Sequence, residues 1–424
     1  MKRFLSILLT AMMLVSFATV TASAAEPTKI TFWTFQELHV SFYQEMAKEW
    51  NEKYPDRQIE LDASALPYDD MHNKLTIALQ SGVGAPDLVD IEIGKFANYL
   101  KGTPQLVPIN RVVEPELNNI VRSRVDIYAK DGNFYGICFH IGAAVIYYND
   151  KLLKEAGIDY TQIKTWDQYH EAGKKFLAAT GKPFGTVETG DPWHLWPLLA
   201  SQGGDLLDKD GKPNIASPEM EKALAFNQEL LKEGVLAIAP GSGHHSEEYY
   251  GLMNAGSFGS VIMPMWYMGR FTDYMPDLKG QMVIAPLPVW EEGQPRSVGL
   301  GGTGTCVTNQ AKDPELTMDF LAFAKLSKEG GIQIWKMMGF DPIRTEVWSL
   351  PEVRDTPNKF TDFFLNNPFD VLTEIKDEIP AIRVSEYLPA TMDALKNSVL
   401  YRAYEDLADL KTMLPEENAK VVVG

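Results

Sequence analysis

The sequence has few of the groups that commonly perform catalysis or hold a metal ion. Its 424 residues include only two cysteines, Cys138 and Cys306. It has no His-Glu-x-x-His motif, no nucleophile elbow and no P-loop with a Lys-Ser or Lys-Thr ending. The protein classes that depend on these motifs are therefore disfavoured. The cysteines both fall in predicted strands and form either one disulfide or two buried free thiols, and the second alternative is preferred.

Basic residues are outnumbered as well. Lys and Arg total 39 against 57 Asp and Glu, which gives a formal net charge of −18. This balance disfavours nucleic acid and anionic membrane surfaces as partners. Beyond the N-terminal stretch, no apolar segment reaches the roughly 20 residues needed to span a membrane. With about 400 mature residues we expect a soluble protein of two or more domains.

The first 25 residues are typical of an export signal. A basic start precedes an apolar core over residues 4–20, and residues 22–24 form a small-x-small cleavage site. Cleavage is expected after Ala24 or Ala25. Because no cysteine lies near this point, we expect a free periplasmic or extracellular protein without a lipid anchor.

Strands and helices alternate along the N-terminal part of the mature chain. Apolar, β-branched stretches predict strands over residues 29–35, 58–63 and 87–93, with amphipathic helices between them. This alternation predicts a parallel, wound α/β sheet, in which ligands bind beyond the carboxyl ends of the strands. A second run with a similar pattern includes a helix that starts at Thr165 and a strand over residues 184–187, which indicates a second α/β unit.

Residues 134–149 form an apolar run that is long for one strand, since strands usually span about 3–10 residues. We predict two strands joined end to end with a bend at residues 140–142, where the chain crosses between two domains. His140 would then face the cleft at the hinge. The alternative is one long strand with His140 satisfied inside the core. Residues 281–289 predict a second crossing that returns to the first domain.

The expected cleft is rich in aromatic rings and poor in catalytic groups. Flat rings pack against the apolar faces of sugars, and planar polar side chains bind sugar hydroxyls. A single tryptophan is more often a core residue, but the joint position of several at strand ends favours a sugar site. The aromatic candidates are Trp33, Trp193, Trp196, Trp266 and Tyr267. The polar candidates in the matching loops are Glu37, His39, Glu92, His140, Glu188, His194, Arg270 and Arg344.

Two further motifs allow several interpretations. The glycine-rich stretch with Gly301 and Gly302 runs into a strand, so it indicates either backbone that passes close to a ligand or a simple turn. His244 and His245 are adjacent, so their side chains diverge, and we expect a loop that caps the next helix and no metal site. His245 or Glu247 remains a candidate ligand contact. No cofactor is expected, and paired carboxylates for glycoside cleavage remain open.

The mature chain resembles bacterial extracellular (family 1) sugar-binding proteins of ABC importers. The similarity includes residues 30–59, ITFWTFQELHVSFYQEMAKEWNEKYPDRQI, and residues 263–280, MPMWYMGRFTDYMPDLKG. The stretches GTVETGD, PGSGHHSEEYYGLMN and GFDPIR are similar to binding proteins for arabinose-containing oligosaccharides. The resemblance implies a type II-like periplasmic-binding-protein fold, with two α/β lobes joined by hinge strands. The domain scheme places residues 26–139 and 284–342 in lobe I, and residues 140–283 and 343–424 in lobe II.

The resemblance also implies residue roles and partners. Trp266 is expected to stack on the sugar, with Trp193 as a second platform. The implied partners are an oligosaccharide and an ABC permease with its cytoplasmic ATPase, and the protein is expected to be a monomeric, non-enzymatic binder. The alternatives are a secreted carbohydrate-active enzyme and a binder of xylo- or malto-oligosaccharides. The implied hydrogen-bonding and backbone contacts are Glu37, His39, Glu92, Glu188, Arg344, Gly301 and Gly302.

Overall fold

The computed structural model describes residues 26–100 and 102–422. The expected export signal therefore lies outside the described residues. Within these two ranges, none of the helices combines the length and the apolar character that a membrane crossing requires.

Short strands and many helices alternate along the described chain. The strands are β1 (Thr28–Thr34), β2 (Ile59–Ala65), β3 (Leu88–Glu92), β4 (Ala129–Lys130), β5 (Asn133–Phe134), β6 (Gly136–Cys138), β7 (Ala144–Asn149), β8 (Gly185–Val187), β9 (Leu236–Ile238), β10 (Ser260–Pro264), β11 (Met282–Ala285) and β12 (Thr303–Val307). The α-helices are α1 (Glu37–Lys53), α2 (Tyr68–Ser81), α3 (Ile93–Phe96), α4 (Asn110–Val113), α5 (Ser123–Asp126), α6 (Asp150–Glu155), α7 (Trp166–Thr180), α8 (Trp196–Ala200), α9 (Pro218–Lys232), α10 (Glu247–Asn254), α11 (Met268–Tyr274), α12 (Pro314–Leu326), α13 (Lys328–Gln333), α14 (Pro351–Arg354), α15 (Pro368–Ile375), α16 (Leu388–Ala394), α17 (Leu400–Tyr404) and α18 (Leu410–Lys420).

Single turns of other helix types complete the list. The five-residue turns Ile334–Met338 and Leu395–Val399 are π-helical. The second of them joins α16 to α17, so these segments form one continuous helical element that runs from Leu388 to Tyr404. The 3₁₀ turns are Ala97–Leu100, Glu114–Glu116, Tyr160–Gln162, Pro240–Ser242, Met265–Tyr267, Pro276–Leu278 and Thr345–Ser349.

The first sheet has the strand order β2-β1-β3-β12-β6. Its strand β1 lies parallel to both β2 and β3, as the alternation of strands and helices predicts. Strand β12, which lies outside the residues from which the parallel sheet is predicted, is antiparallel to both β3 and β6. The reason is that β12 enters this sheet from the opposite direction, on the chain's return from the second sheet. The sheet is therefore mixed.

The second sheet has the order β10-β7-β11, and both pairings are antiparallel. Strand β8 pairs separately and in parallel with β9. The second α/β unit therefore exists, but its three-stranded sheet lacks the parallel arrangement of the first.

The run over residues 134–149 divides between the two sheets. Strand β6 ends at Cys138 in the first sheet, and β7 begins at Ala144 in the second. The bend includes Gly142, which has a φ of +66°. The prediction of two strands with a bend at residues 140–142 is confirmed, and the alternative of one long strand is wrong.

The return crossing begins later than predicted. Strand β11 pairs with β7 as far as Ala285, opposite Ile146. A lobe boundary at residue 284 would therefore divide β11, and the crossing instead runs from residue 286 to β12. The backbone N–H of Leu300 donates to the Gly142 carbonyl at 2.9 Å, and that of Ile141 donates to Asp341 at 2.9 Å. Three chain segments thus lie side by side between the two sheets.

The two cysteines lie on neighbouring strands of the first sheet. Cys138 in β6 pairs in register with Gly304, two residues before Cys306 in β12. Both are buried free thiols, which is the preferred of the two alternatives. Burial raises the pKa of both thiols.

Candidate ligand-binding cleft

Two half-buried tryptophan rings, Trp193 and Trp266, form the centre of the candidate site, and we call them the aromatic pair. Trp266 lies in the 3₁₀ turn directly after β10, and Trp193 lies in the loop after β8. Their rings are nearly perpendicular, at 86°, with centroids 6.0 Å apart. Both rings approach Gly301, where a Cβ would lie 3.4 Å from Trp266 Nε1 and 3.9 Å from the Trp193 ring. The structure thus brings three predicted site residues together.

The orientation of Trp266 is held by its neighbours. Its indole N–H donates to the Leu300 carbonyl in the return crossing at 3.3 Å. The exposed ring of His245 lies nearly parallel to it, at 17° and 5.6 Å between centroids. His245, a candidate from the sequence, is therefore part of this aromatic surface. The preceding His244 is buried, and Ser246 caps α10, as predicted for a helix-capping loop.

Trp196 belongs to the core. Its ring is fully buried, stacks beneath Trp193 at 6.4 Å, and donates its N–H to Asp205 at 2.7 Å. The prediction that Trp196 lines the cleft is therefore wrong. The residue starts α8, and its ring packs in the core under Trp193.

Three charged groups near the aromatic pair form what we call the polar wall: Glu92, Asp191 and Lys396. Glu92 ends β3, and its Oε2 accepts from the Gly94 N–H at 2.7 Å and from the Tyr68 hydroxyl at 3.2 Å. Asp191 and Lys396 form an ion pair at 2.7 Å. Sequence reasoning identified Glu92 alone, because Asp191 and Lys396 are far apart in the chain and carry no motif.

Burial and pairing set the protonation of this wall. Burial raises the pKa of Glu92, although the Gly94 N–H and the field of Lys396 act against it. Burial likewise raises the pKa of Asp191 against the pull of Lys396. Burial alone would lower the pKa of Lys396, but Asp191 and the field of Glu92 raise it. The ammonium form of Lys396 is thus stabilised by carboxylates from two sides.

His72 supports the backbone at Glu92 in its neutral form. Its Nδ1 bonds the Tyr68 carbonyl at 2.8 Å, and its Nε2 accepts from the Glu92 N–H at 3.3 Å. Since a carbonyl requires a donor and an N–H an acceptor, this arrangement needs one protonated and one free ring nitrogen. Burial lowers the pKa of His72 to about 4.

We expect a pH-dependent stability term from His72. Between the ordinary pKa of 6.5 and the folded value of about 4, only the unfolded chain binds a proton at this ring. The free energy of unfolding should therefore decrease as the pH is lowered from 6.5 to 4, by up to about 3 kcal/mol. Urea unfolding of the wild type and His72→Gln at several pH values measures this term. The variant should lose that part of the slope. The control His170→Gln, at a half-buried histidine that pairs with Glu233, should keep it, so equal slopes in all three proteins would contradict the assignment.

Glu188 and His194 lie behind the aromatic pair and not on its surface. Both are buried, and Glu188 Oε1 accepts from the His244 N–H at 2.9 Å. Burial alone would raise the pKa of Glu188, but His244 and His194 hold it well below its usual range. His194 Nε2 bonds the Tyr404 hydroxyl at 3.0 Å. These contacts fix the loop that carries Trp193.

The two remaining predicted histidines lie near the crossing. His39 is buried, with Nδ1 2.8 Å from Asp90 Oδ2 and its ring stacked on Phe139 at 4.0 Å. His140 is buried against Phe340, with ring centroids 5.0 Å apart, and burial lowers its pKa well below the usual range. His39 thus packs α1 against β3 and Phe139, and His140 packs the crossing segment against Phe340.

The other predicted residues are dispersed. The Trp33 ring is covered by the Lys74 ammonium at 3.9 Å, and Arg344 pairs with Glu116 at 2.8 Å. Neither is brought to the aromatic pair by a contact in the described residues. Glu37 is exposed at the start of α1, and Arg270 is half-buried with its guanidinium 6.0 Å from the Tyr274 ring. Tyr267 is buried, and its hydroxyl donates to the His244 carbonyl. The Gly302 carbonyl accepts from the Tyr128 hydroxyl at 2.9 Å.

Two buried charged residues that sequence reasoning missed hold the crossing segments. Arg124 donates to the carbonyl of Gly301 at 2.5 Å and to that of His140 at 3.4 Å, so it joins two crossings. Asp341 accepts from the N–H groups of Gly142 at 3.2 Å and Ala143 at 2.9 Å. Burial raises the pKa of Asp341 to about 6. Backbone contacts of this kind depend on tertiary structure and leave no pattern in the sequence.

The two sheets and the three segments between them define a two-lobed α/β protein, with the aromatic pair where the return crossing meets the second sheet. Residues 36–330 match the family model described as bacterial extracellular solute-binding protein. The chain belongs to that family.

Relatives of known name support the same conclusion. The chain is 45% identical to the arabinooligosaccharide-binding protein of Bacillus subtilis (strain 168), over 95% of both chains. It is also 45% identical to the protein of the same name from Halalkalibacterium halodurans, over 93% of this chain and 87% of the relative.

Solved structures share the fold. The GacH receptor of Streptomyces glaucescens matches with a TM-score of 0.73 and 18% identity, over 93% of this chain and 97% of the receptor. The galacto-N-biose-/lacto-N-biose I-binding protein of Bifidobacterium longum matches with a TM-score of 0.75 and 18% identity, over 93% of this chain and 96% of its own. At this identity the likeness concerns architecture alone, and it confirms the predicted two-lobed α/β fold.

Proposed function

We propose that this protein binds short arabino-oligosaccharides in the cleft between its lobes and delivers them to the membrane permease of an ABC importer. The observation that carries the proposal is the half-buried, perpendicular aromatic pair at Gly301, with Asp191, which pairs with Lys396, on the loop that carries Trp193. The arabino preference is supported by the names of relatives that are 45% identical over most of the chain.

Binding of this kind combines two interactions. The aromatic pair offers flat apolar surface to sugar C–H faces, while the polar wall offers donors and acceptors to the hydroxyls. Lobe I then comprises residues 26–139 and the chain from the return crossing to residue 342, and lobe II comprises the remainder of the described chain. Closure about the three crossing segments shifts the population from open to closed lobes when a sugar is bound.

The proposal includes an exported, monomeric protein. The expected signal is removed after Ala24 or Ala25, and no cysteine is available near that point for lipid attachment. A freely diffusing monomer would carry its ligand to the permease, whose cytoplasmic ATPase drives import. The protein itself performs no chemistry on the sugar.

Incubation of the purified protein with arabinotriose tests this function. We expect the trisaccharide to be recovered intact, and the melting temperature to rise with sugar concentration because the ligand binds the folded state alone. Xylotriose and maltotriose serve as comparison ligands and should give smaller shifts. Shortened products would identify an enzyme instead, and a larger shift with xylotriose or maltotriose would reassign the ligand.

A further inference from the structure

The polar wall is tied to the aromatic pair along one loop of the second lobe. Asp191 precedes Trp193 by two residues, so their Cα atoms lie within about 7 Å of each other. The loop itself is anchored by the buried Glu188 at its start. The carboxylate of Asp191 and the indole of Trp193 are therefore presented on the same short, fixed segment.

A second connection runs through the first sheet. Glu92 lies opposite Thr303 in the pairing of β3 with β12, and the Ile93 N–H donates to the Gly302 carbonyl at 2.9 Å. Gly302 follows Gly301, which both tryptophan rings approach. The backbone at Glu92 therefore lies beside the segment that both rings approach, on the lobe opposite Asp191.

The helical element from α16 to α17 supplies the third member. Met392 on α16 approaches α3, where a Cβ at Gly94 would lie 3.3 Å from its sulfur. Lys396 follows four residues later, on the same helix side, within the π-helical turn Leu395–Val399. Single π turns inside α-helices occur frequently at functional sites. Here the turn carries the lysine that pairs with Asp191 and lies in the field of Glu92.

The charges of the wall are only partly accessible to water. The side chains of Lys396 and Asp191 are 35% and 28% exposed. Taking charges out of water is unfavourable, so such a pair is weak evidence for a stabilising role. The ammonium has three donors and, among the described residues, pairs with one carboxylate, which leaves donors for a ligand. Position, partial burial and unused donors all favour a ligand-binding role.

We propose that Lys396 contacts the ligand, and that with Asp191 and Glu92 it reads the hydroxyl groups of the sugar that packs on the aromatic pair. This inference rests on the proposed sugar-binding function. Lys396 donates to ring and hydroxyl oxygens, while the two carboxylates accept from hydroxyl protons. Two carboxylates against one ammonium leave the wall acidic, so it selects neutral sugars over uronic acids.

Calorimetry with arabinotriose on Lys396→Met, Asp191→Asn and the double variant tests the proposal. Since hydrogen bonds to charged groups are strong, each single variant should bind at least about 10-fold more weakly than the wild type. The two residues act on one ligand, so the double variant should lose less than the product of the single losses. Lys420→Met is the matched control, since Lys420 is an exposed lysine that forms ion pairs with Glu416 and Glu417 in the same C-terminal region, and it should bind like the wild type.

The outcomes separate this inference from the proposed function. Failure of the wild type to bind arabinotriose would overturn the function itself. Wild-type binding with an unchanged affinity in Lys396→Met would overturn only the role of Lys396. Thermal unfolding without sugar distinguishes a structural role: a lowered melting temperature with unchanged affinity would also overturn the proposal. Trigalacturonate should give no heat of binding, and a clear signal would contradict the selection of neutral sugars.

Discussion

Trp266→Ala is expected to weaken arabinotriose binding by at least about 30-fold, which corresponds to about 2 kcal/mol. Large aromatic residues in well-packed, desolvated positions contribute most to binding, and Trp266 is half-buried beside Trp193 and Gly301. Its N–H bond to Leu300 and the parallel ring of His245 hold the indole in place before a ligand arrives. Little conformational entropy is then lost on binding, which adds to the expected effect.

The parallel arrangement of His245 and Trp266 specifies which surface a sugar can use. With the imidazole stacked against the indole, we expect the sugar ring to pack on the face of Trp266 that His245 leaves open. Trp266→Phe keeps a flat ring but loses the N–H and part of the ring area. Its affinity for arabinotriose should therefore lie between that of the wild type and that of Trp266→Ala.

Isothermal calorimetry on folded protein measures this prediction, and Trp290→Ala is the matched control. Trp290 is also half-buried, but it lies near the start of the return crossing, where it packs under Lys222 and donates to the Leu198 carbonyl at 2.9 Å. Its removal should change the melting temperature more than the affinity. Unchanged binding in a folded Trp266→Ala protein would remove Trp266 from the site.

The sequence predicts the crossing at residues 140–142 because that property is local. An apolar run too long for one strand, interrupted by small residues, has few structural solutions, and the bend at Gly142 is one of them. The direction of β12 is different. It depends on where the chain re-enters the sheet after the irregular segment from residue 286, and no local pattern encodes that path.

The same distinction applies to the site. Trp193 and Trp266 follow strands, so sequence position alone predicts their place at a cleft. The partners that bury polar side chains are distant: Glu188 is paired by His244, 56 residues later. Sequence reasoning therefore identified Glu188 as polar and near a strand end, but not as buried.

Lys396, in contrast, was not identified from the sequence at all. Lysines on helices are commonly exposed, so nothing in the sequence distinguishes Lys396 from its neighbours. Only the folded chain shows its pairing with Asp191, which lies about 200 residues earlier, and its place in a π-helical turn.

Gly142→Ala is expected to lower the free energy of unfolding by about 3 kcal/mol and to impair sugar binding as well. A Cβ at this position would lie 2.1 Å from the Leu300 carbonyl oxygen and 3.1 Å from His140 Nδ1. The first distance is a clash with backbone, which no side-chain rotation relieves. The positive φ of +66° adds strain for any residue with a Cβ.

Gly82→Ala is the control, because Gly82 shares the left-handed backbone conformation of Gly142 but has open space where a Cβ would lie. Gly82 has a φ of +75°, and a Cβ there would meet nothing within 4 Å. This variant should therefore lose only about 1 kcal/mol, from the backbone conformation alone. Urea unfolding of the two variants isolates the contribution of the contact between the crossing segments.

Sugar binding by the same two proteins links that contact to function. The Leu300 carbonyl that the new Cβ would displace also accepts from the Trp266 indole, so a shift of the return crossing moves the aromatic pair. Gly142→Ala should then bind arabinotriose more weakly even at a temperature where it remains folded, while Gly82→Ala binds like the wild type. Equal stability and equal affinity in the two variants would show that the crossing segments can separate without disturbing the cleft.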